Sequence, residues 1–216
     1  LLQESEIPTQ WYNIQADMPN KPLPPLNPAT KKPLTPEDLA HIFSLECSKQ
    51  ELDTEHAWID IPEEVLDMYK YYRATPLVRA YALEKALDTP AHIYFKNESV
   101  NPLGSHKINS ALPQCYYCRE EGVTNVTTET GAGQWGAALS YAAKVFGLES
   151  AVYQVKITLQ QKPYRGILMR TFGATVTGSP SMSTRAGKDI ITRDPNNSGS
   201  LGTAISEAIE LATTTP

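Results

Sequence analysis

The sequence predicts an α/β fold, with a parallel sheet flanked by helices and a proline-rich, partly helical N-terminal arm in front of it. Three observations lead there. All 12 glycines lie at or beyond Gly104, while nine of the 17 prolines lie at or before Pro62, so the chain changes character along its length. From about residue 75, short β-branched or aromatic runs alternate with apolar stripes of helical period. Two glycine-bearing motifs, Asn101-Pro-Leu-Gly-Ser-His-Lys107 and Thr128-Glu-Thr-Gly-Ala-Gly-Gln-Trp-Gly136, each fall where a strand hands over to a helix.

The arm is expected to span residues 1–72 and the α/β region 73–216. Pro22, Pro24, Pro25, Pro28, Pro33 and Pro36 exclude a regular helix between Asn20 and Pro36. Pro36 to Phe43 and Pro62 to Tyr72 read as helices, each with proline near its first position and acids in the first turn, where the helix dipole favours them. Leu77, Ala80, Leu83, Ala86 and Leu87 form a helical stripe, so a helix is predicted over Leu77 to Leu87. Strands are then predicted at His92–Lys96, Asn125–Thr128, Ala151–Ile157 and Ala174–Thr177. Helices are predicted at Ser105–Gly122, Gly133–Gly147, Gln161–Phe172, Thr184–Thr192 and Gly202–Ala212. Strand–helix repeats of this length call for parallel pairing with helices on the faces. Ligands of such sheets bind beyond the carboxyl ends of the strands.

Composition narrows the function classes. A net charge of −5 offers no basic surface for nucleic acid or anionic membrane. No segment approaches the roughly 20 apolar residues that span a bilayer, and Leu1 to Glu6 has the form of no signal peptide. Cys47, Cys115 and Cys118 cannot make a disulfide framework, which points to a reducing, cytoplasmic setting. Cys115 and Cys118 have redox or half-zinc spacing but lie within a predicted helix with no second pair, and read as packing residues. The four histidines form no metal pattern. A start at Leu1 and a stop at Pro216 just past a helical pattern suggest part of a longer protein.

The two motifs carry the chemistry. Lys107 stands at a helix start, whose positive end disfavours an ammonium. That suits an amine forming a Schiff base, which must be neutral part of the time; a solvated surface lysine is the plain alternative. Glu129 ends a β-branched strand just before a glycine loop, where a carboxylate serves as general acid or base, or simply as a first-turn helix acid. Gly131-Ala132-Gly133 before a helix suits a bound phosphate or carboxylate, but lacks the third glycine of a dinucleotide fingerprint and the lysine of a P-loop. A tight turn is the alternative there.

Taken together, these residues resemble the tryptophan synthase β-chain family of fold-type II pyridoxal-phosphate enzymes, closest to its second, longer subgroup. Arg73-Ala-Thr-Pro-Leu77, Tyr94-Phe-Lys-Asn-Glu98 and the two motifs fall in family order and spacing. Trp11 to Asp17, Lys162-Pro-Tyr-Arg165 and Gly199 to Glu207 resemble subgroup marks. The resemblance covers essentially the whole chain. It implies that Lys107 holds pyridoxal 5'-phosphate as a Schiff base and removes the Cα proton of L-serine or phosphoserine. It implies acid–base work for Glu129 in elimination and in indole attack, giving L-tryptophan. Thr130, Gly131, Ala132, Gly133, Gln134 and Trp135 would hold the substrate carboxylate, with Gln134 near the ring hydroxyl and His106 near the cofactor. It further implies a homodimer and a possible α-chain partner, with no nucleic acid, membrane or metal.

Three positions depart from the family pattern. Ala74 replaces a usual proline. Pro113 sits about two turns into the helix after Lys107, where an interior proline costs roughly 3 kcal/mol, so a kink or loss of stability is expected. No glycine follows Gly202, so the family's glycine-rich phosphate cup and the polar residue facing the pyridine nitrogen have no counterpart in this sequence. Two alternatives therefore stand beside tryptophan synthesis: serine deamination or β-replacement by another nucleophile, and a non-catalytic association module.

Overall fold

The computed structural model describes residues 3–214. Its N-terminal third is tied together by long-range pairing. Strand β1 (Gln10–Tyr12) runs antiparallel to β2 (Trp58–Asp60), and Gln10 Nε2 donates to Asp60 Oδ1 at 2.7 Å. Between them lie α1 (Pro36–Leu39) and α2 (Leu45–Leu52). Thr35 and Asp38 close a capping box around α1. Ser44 caps α2, whose first N–H groups also donate to the Glu121 carboxylate, Leu45 N at 2.7 Å and Glu46 N at 2.9 Å. Helix α3 (Glu63–Lys70) follows Pro62 and carries two acids in its first turn.

The helix predicted over Leu77–Leu87 is corrected. Leu77–Arg79 is a strand, β3, paired antiparallel with β4 (Tyr94–Lys96), and only Tyr81–Ala86 is helical, as α4. The stripe does not face a core: Leu77 is 66% and Leu87 59% exposed. Hydrogen bonding to β4 decides the conformation there, and Ala80 N still donates across to Ile93 O.

Helix α5 (Ile108–Glu120) begins right after Lys107 and continues through Pro113. A proline at 113 has no N–H for the carbonyl of Asn109. The Tyr69 hydroxyl donates to that carbonyl instead, and the Tyr72 hydroxyl donates to Asn109 Oδ1 at 2.8 Å. Burial pushes the Tyr69 hydroxyl up to about 12, which keeps it a donor.

The site rests on a three-stranded parallel sheet in the order β5 (Asn125–Thr130), β6 (Glu149–Val155), β7 (Thr175–Ser179). Its connections are α6 (Gln134–Phe146), then α7 (Lys156–Gln161) and α8 (Pro163–Thr171). The helix predicted from Gln161 to Phe172 is α8, begun at Pro163, whereas α7 takes up Lys156 and Ile157, the last two residues of the strand predicted over Ala151–Ile157. The α9 (Arg185–Arg193) and α10 (Leu201–Thr214) helices complete the chain. Side chains alternate across the sheet. Val152 packs with Ala137 and Met169 beneath α6 and α8, and Tyr153 packs with Ala204 and Ala208 of α10 on the other face.

The main core draws Ile61, Val65 and Tyr69 together with Ile108, Leu112, Ala138 and Ala142, so both sides of Tyr72 share it. Fully burying each large apolar side chain contributes about 1.5–3 kcal/mol. Gly136 lets α6 sit directly on the sheet. A Cβ there would lie 2.7 Å from Met169 Sδ, 2.8 Å from Val152 Cγ1 and 2.9 Å from Thr130 Cγ2. Among the described residues no helix is long and apolar enough to cross a membrane, and no cluster of potential metal ligands occurs.

Candidate active site

The lysine motif is shaped by one side chain. Asn101 is buried and makes four hydrogen bonds within its own loop. Its Oδ1 accepts from Leu103 N at 3.0 Å and Ser105 N at 3.2 Å, while Nδ2 donates to Ser105 O at 2.9 Å and Glu98 Oε2 at 3.1 Å. Thr75 Oγ1 donates to the other Glu98 oxygen at 2.6 Å, tying the loop to the segment before β3. The loop closes on Lys107, which lies at the N-cap of α5.

The glycine loop follows β5. Gly133 is the N-cap of α6 with φ +90°, a conformation that side-chain-bearing residues rarely adopt. A Cβ at Gly133 would also strike Arg165 Cβ at 2.8 Å. Among the described residues, no acceptor receives the backbone N–H groups of Gly131, Ala132 or Gly133. Three unengaged donors before a 13-residue helix form a ready anion cradle. Thr158 Oγ1 donates to Gly131 O and fixes the loop from α7.

The two motifs meet at one contact. Lys107 Nζ donates to Gln134 Oε1 at 3.3 Å, so the amine stands at the first turn of α6 beside the loop. Trp135 is turned inward, its Nε1 donating to Thr128 Oγ1 at 2.8 Å. Thr130 is buried at the end of β5. Glu129 is half-buried, pairs in register with Tyr153, and so points to the opposite face of the sheet from Thr128 and Thr130. Its carboxylate accepts no hydrogen bond from the described residues and does not contact Lys107. The His106 side chain is exposed and makes no hydrogen bond there.

Two further residues line this place. Gln154, in register with Thr130, is fully buried with Oε1 unpartnered. Its Nε2 lies 3.3 Å from where a Gly133 Cβ would stand. Arg165 donates from Nη1 to Leu103 O at 3.2 Å and so touches both loops. Only the Lys162-Pro-Tyr-Arg165 run hinted at the arginine; nothing in the strand pattern singled out Gln154. The cysteines are packing residues by their surroundings: Cys115 is buried, and burial pushes the Cys118 thiol up to about 11.

Comparison with known proteins identifies the family. The chain is 54% identical to a Thermotoga maritima protein named tryptophan synthase beta chain 2, over all of this chain and 51% of that protein. It is 53% identical to an Aquifex aeolicus protein of the same name, over 98% of this chain and 49% of that one. It is 52% identical to a Thermococcus gammatolerans tryptophan synthase beta chain, over 97% and 48%. The chain thus spans about half the length of the curated relatives it matches. The family profile described as pyridoxal-phosphate dependent enzyme matches residues 68–211, a stretch that runs from α3 through α10 and holds both loops. A match that covers most of the chain, with the parallel sheet and both loops inside it, places this chain in the pyridoxal-phosphate-dependent enzyme family.

Proposed function

We propose that this chain carries the amine-bearing part of a tryptophan synthase β-type enzyme, which joins L-serine or phosphoserine to indole. The observation that carries the reading is Lys107 Nζ at 3.3 Å from Gln134 Oε1, beside three unengaged loop N–H groups. These residues fit pyridoxal phosphate and an amino-acid substrate: an amine to link the aldehyde, and a cradle without side chains for a carboxylate. When bound, the cofactor supplies an electron sink that makes the substrate Cα–H acidic.

The protein's own residues do the rest. The Gly131–Gly133 N–H groups and the first turn of α6 bind the substrate carboxylate and fix Cα in front of Lys107. The Lys107 amine takes the Cα proton and returns it to Cα once the new C–C bond has formed. Glu129 protonates the departing β-oxygen, so that water leaves from serine or inorganic phosphate from phosphoserine, and later accepts the proton that indole C3 loses on forming the new C–C bond. Gln134 orients the amine, and by the family resemblance His106 would stand near the cofactor. Serine and indole thereby give tryptophan and water.

The test is full-length protein reconstituted with pyridoxal phosphate. A visible absorbance band that disappears in Lys107→Ala, together with tryptophan formed from serine and indole, supports the reading. Turnover that survives Lys107→Ala overturns the lysine assignment. Pyruvate formed in place of tryptophan favours serine deamination.

A second reading, an association module, is favoured by exposed apolar side chains around β3 and β4, with Leu77 at 66%, Tyr81 at 67% and Tyr94 at 51%. It predicts concentration-dependent association of the 216-residue chain without cofactor uptake. Stoichiometric cofactor binding by that chain excludes it.

A further inference from the structure

We propose that the groove between the proline-rich arm and α2 is a second ligand site, built for an aromatic α-amino acid in its zwitterionic form. L-Tryptophan is the member of that class this enzyme would make, and only the choice of that member rests on the proposed function.

The groove encloses a cavity of about 740 Å³, within the roughly 300–1,000 Å³ of small-molecule sites. Pro24 and Leu34 line it from the arm, Leu52 from α2 and Trp58 from β2. All four precede residue 68, where the family match begins, and lie outside both loops. The arm is held in place here. Leu34 N donates to Pro25 O at 2.8 Å. The Lys21 ammonium donates to Gln15 O at 3.1 Å, to Thr54 O at 2.8 Å and to Ala16 O. A site fixed before its ligand arrives loses less on binding.

Trp58 stays 60% exposed, although Tyr12 packs on it with ring centroids 5.0 Å apart. An exposed indole lining an apolar groove is a stacking surface for another aromatic ring. Glu46 and Lys49 stand a turn apart on α2 and both line the groove. Glu46 Oε2 and Lys49 Nζ are 3.9 Å apart, too far for a hydrogen bond, and Lys49 has no other carboxylate partner among the described residues. Glu46 Oε1 accepts from Gln50 Nε2, which leaves Oε2 for a ligand. Asp53 also lines the groove but is already engaged by Glu55 N, His56 N and His56 Nδ1.

The loose pair thus offers one ammonium and one carboxylate side by side. An α-amino acid carries the complementary two, and each contact it makes is a charge-assisted hydrogen bond. The surrounding charge narrows the ligand further. From Glu46 to Asp60 five carboxylates stand against Lys49, the one lysine. A phosphate or other net anion is repelled there, and a zwitterion is not.

The experiment is equilibrium dialysis of radiolabelled L-tryptophan against full-length, cofactor-free protein. Tryptamine, which lacks the carboxylate, is the second probe. Trp58→Leu is expected to weaken tryptophan binding roughly twofold to tenfold through lost ring stacking. Lys49→Gln is expected to weaken it roughly threefold to fivefold, the ammonium being half exposed, and to leave tryptamine unchanged. The double variant should lose about tenfold. Tryptophan binding by the double variant within about twofold of wild type overturns the proposal, as does the absence of saturable binding by wild type. An equal loss of tryptophan and tryptamine in Lys49→Gln overturns it as well, because the lysine then does not read the carboxylate.

Dialysis does not depend on turnover. A protein that makes no tryptophan but binds it through Trp58 and Lys49 sinks the synthase reading and keeps the groove. One that makes tryptophan and binds it equally in all variants keeps that reading and sinks the groove. Should Trp58→Leu fail to fold, Lys49→Gln, on the surface of α2, decides through the comparison of tryptophan with tryptamine.

Discussion

The hydroxyl of Tyr69 donates to the backbone carbonyl of Asn109, the acceptor that Pro113 leaves without its helical partner. A tyrosine on α3 thus completes a hydrogen-bond ladder on α5. An interior proline is tolerated within two turns of the reactive lysine because another helix satisfies the freed carbonyl.

That pairing is measurable. Tyr69→Phe leaves a carbonyl in the core without a donor and should cost about 1–3 kcal/mol. Pro113→Ala returns an N–H to the helix, so the same tyrosine change should cost less in that background. Denaturant melts of the two single variants and the double variant give the coupling. Additive costs would show that the hydroxyl and the proline act independently.

Asn101 is expected to control the lysine loop. Asn101→Ala removes both donations and both acceptances and should destabilise the protein by about 1–3 kcal/mol. Asn101→Asp keeps the acceptances but sets a second carboxylate against Glu98, and should cost more than alanine at neutral pH. Both variants should take up pyridoxal phosphate more slowly, because Lys107 then samples more positions. Stopped-flow absorbance after cofactor addition measures this, and wild-type uptake rates would refute it.

Gly136→Ala is expected to cost about 1–3 kcal/mol, since the methyl group meets three side chains within 2.9 Å. Gly133→Ala strikes a different target: it opposes φ +90° and displaces Arg165, so ligand affinity should fall beyond what the loss of stability explains. Thermal melts and serine titrations on the same samples separate the two effects.

The thiols should be slow to react. Burial pushes Cys118 up to about 11 and raises Cys47 and Cys115 as well. A thiol whose folded pKa exceeds its unfolded value, about 8.5, adds stability fully at lower pH. That contribution is lost as pH rises through the range between about 8.5 and the folded value. Alkylation at pH 8 should therefore be much slower in native than in denatured protein, and the melting temperature should fall between pH 8 and pH 11. Equal alkylation rates in the two states would contradict the burial assigned to Cys115.

The parts of the fold readable from sequence are those whose periodicity is matched by burial. The runs at Asn125–Thr128 and Ala151–Val155 are strands of the sheet, and the stripe through Ala138, Leu139, Ala142 and Phe146 is the buried face of α6. The stripe at Leu77–Leu87 misled because its side chains are largely exposed and pairing with a strand at Tyr94 settles the first three residues. The pairing of β1 with β2 links residues 50 apart, and no local pattern encodes it. In the site, the nearness of Lys107 to Gln134 followed from two motifs that each open a helix. The part played by Arg165 was not legible, because its relation to Leu103 exists only once α8 has packed beside α6.

The struts of the site come late in the chain. Leu103 O waits for Arg165, 62 residues downstream, and Gly131 O waits for Thr158, 27 residues downstream. On the ribosome, therefore, the lysine and its cradle are made first and left unbraced. They acquire their final spacing only when residues 156–171 have emerged and folded back.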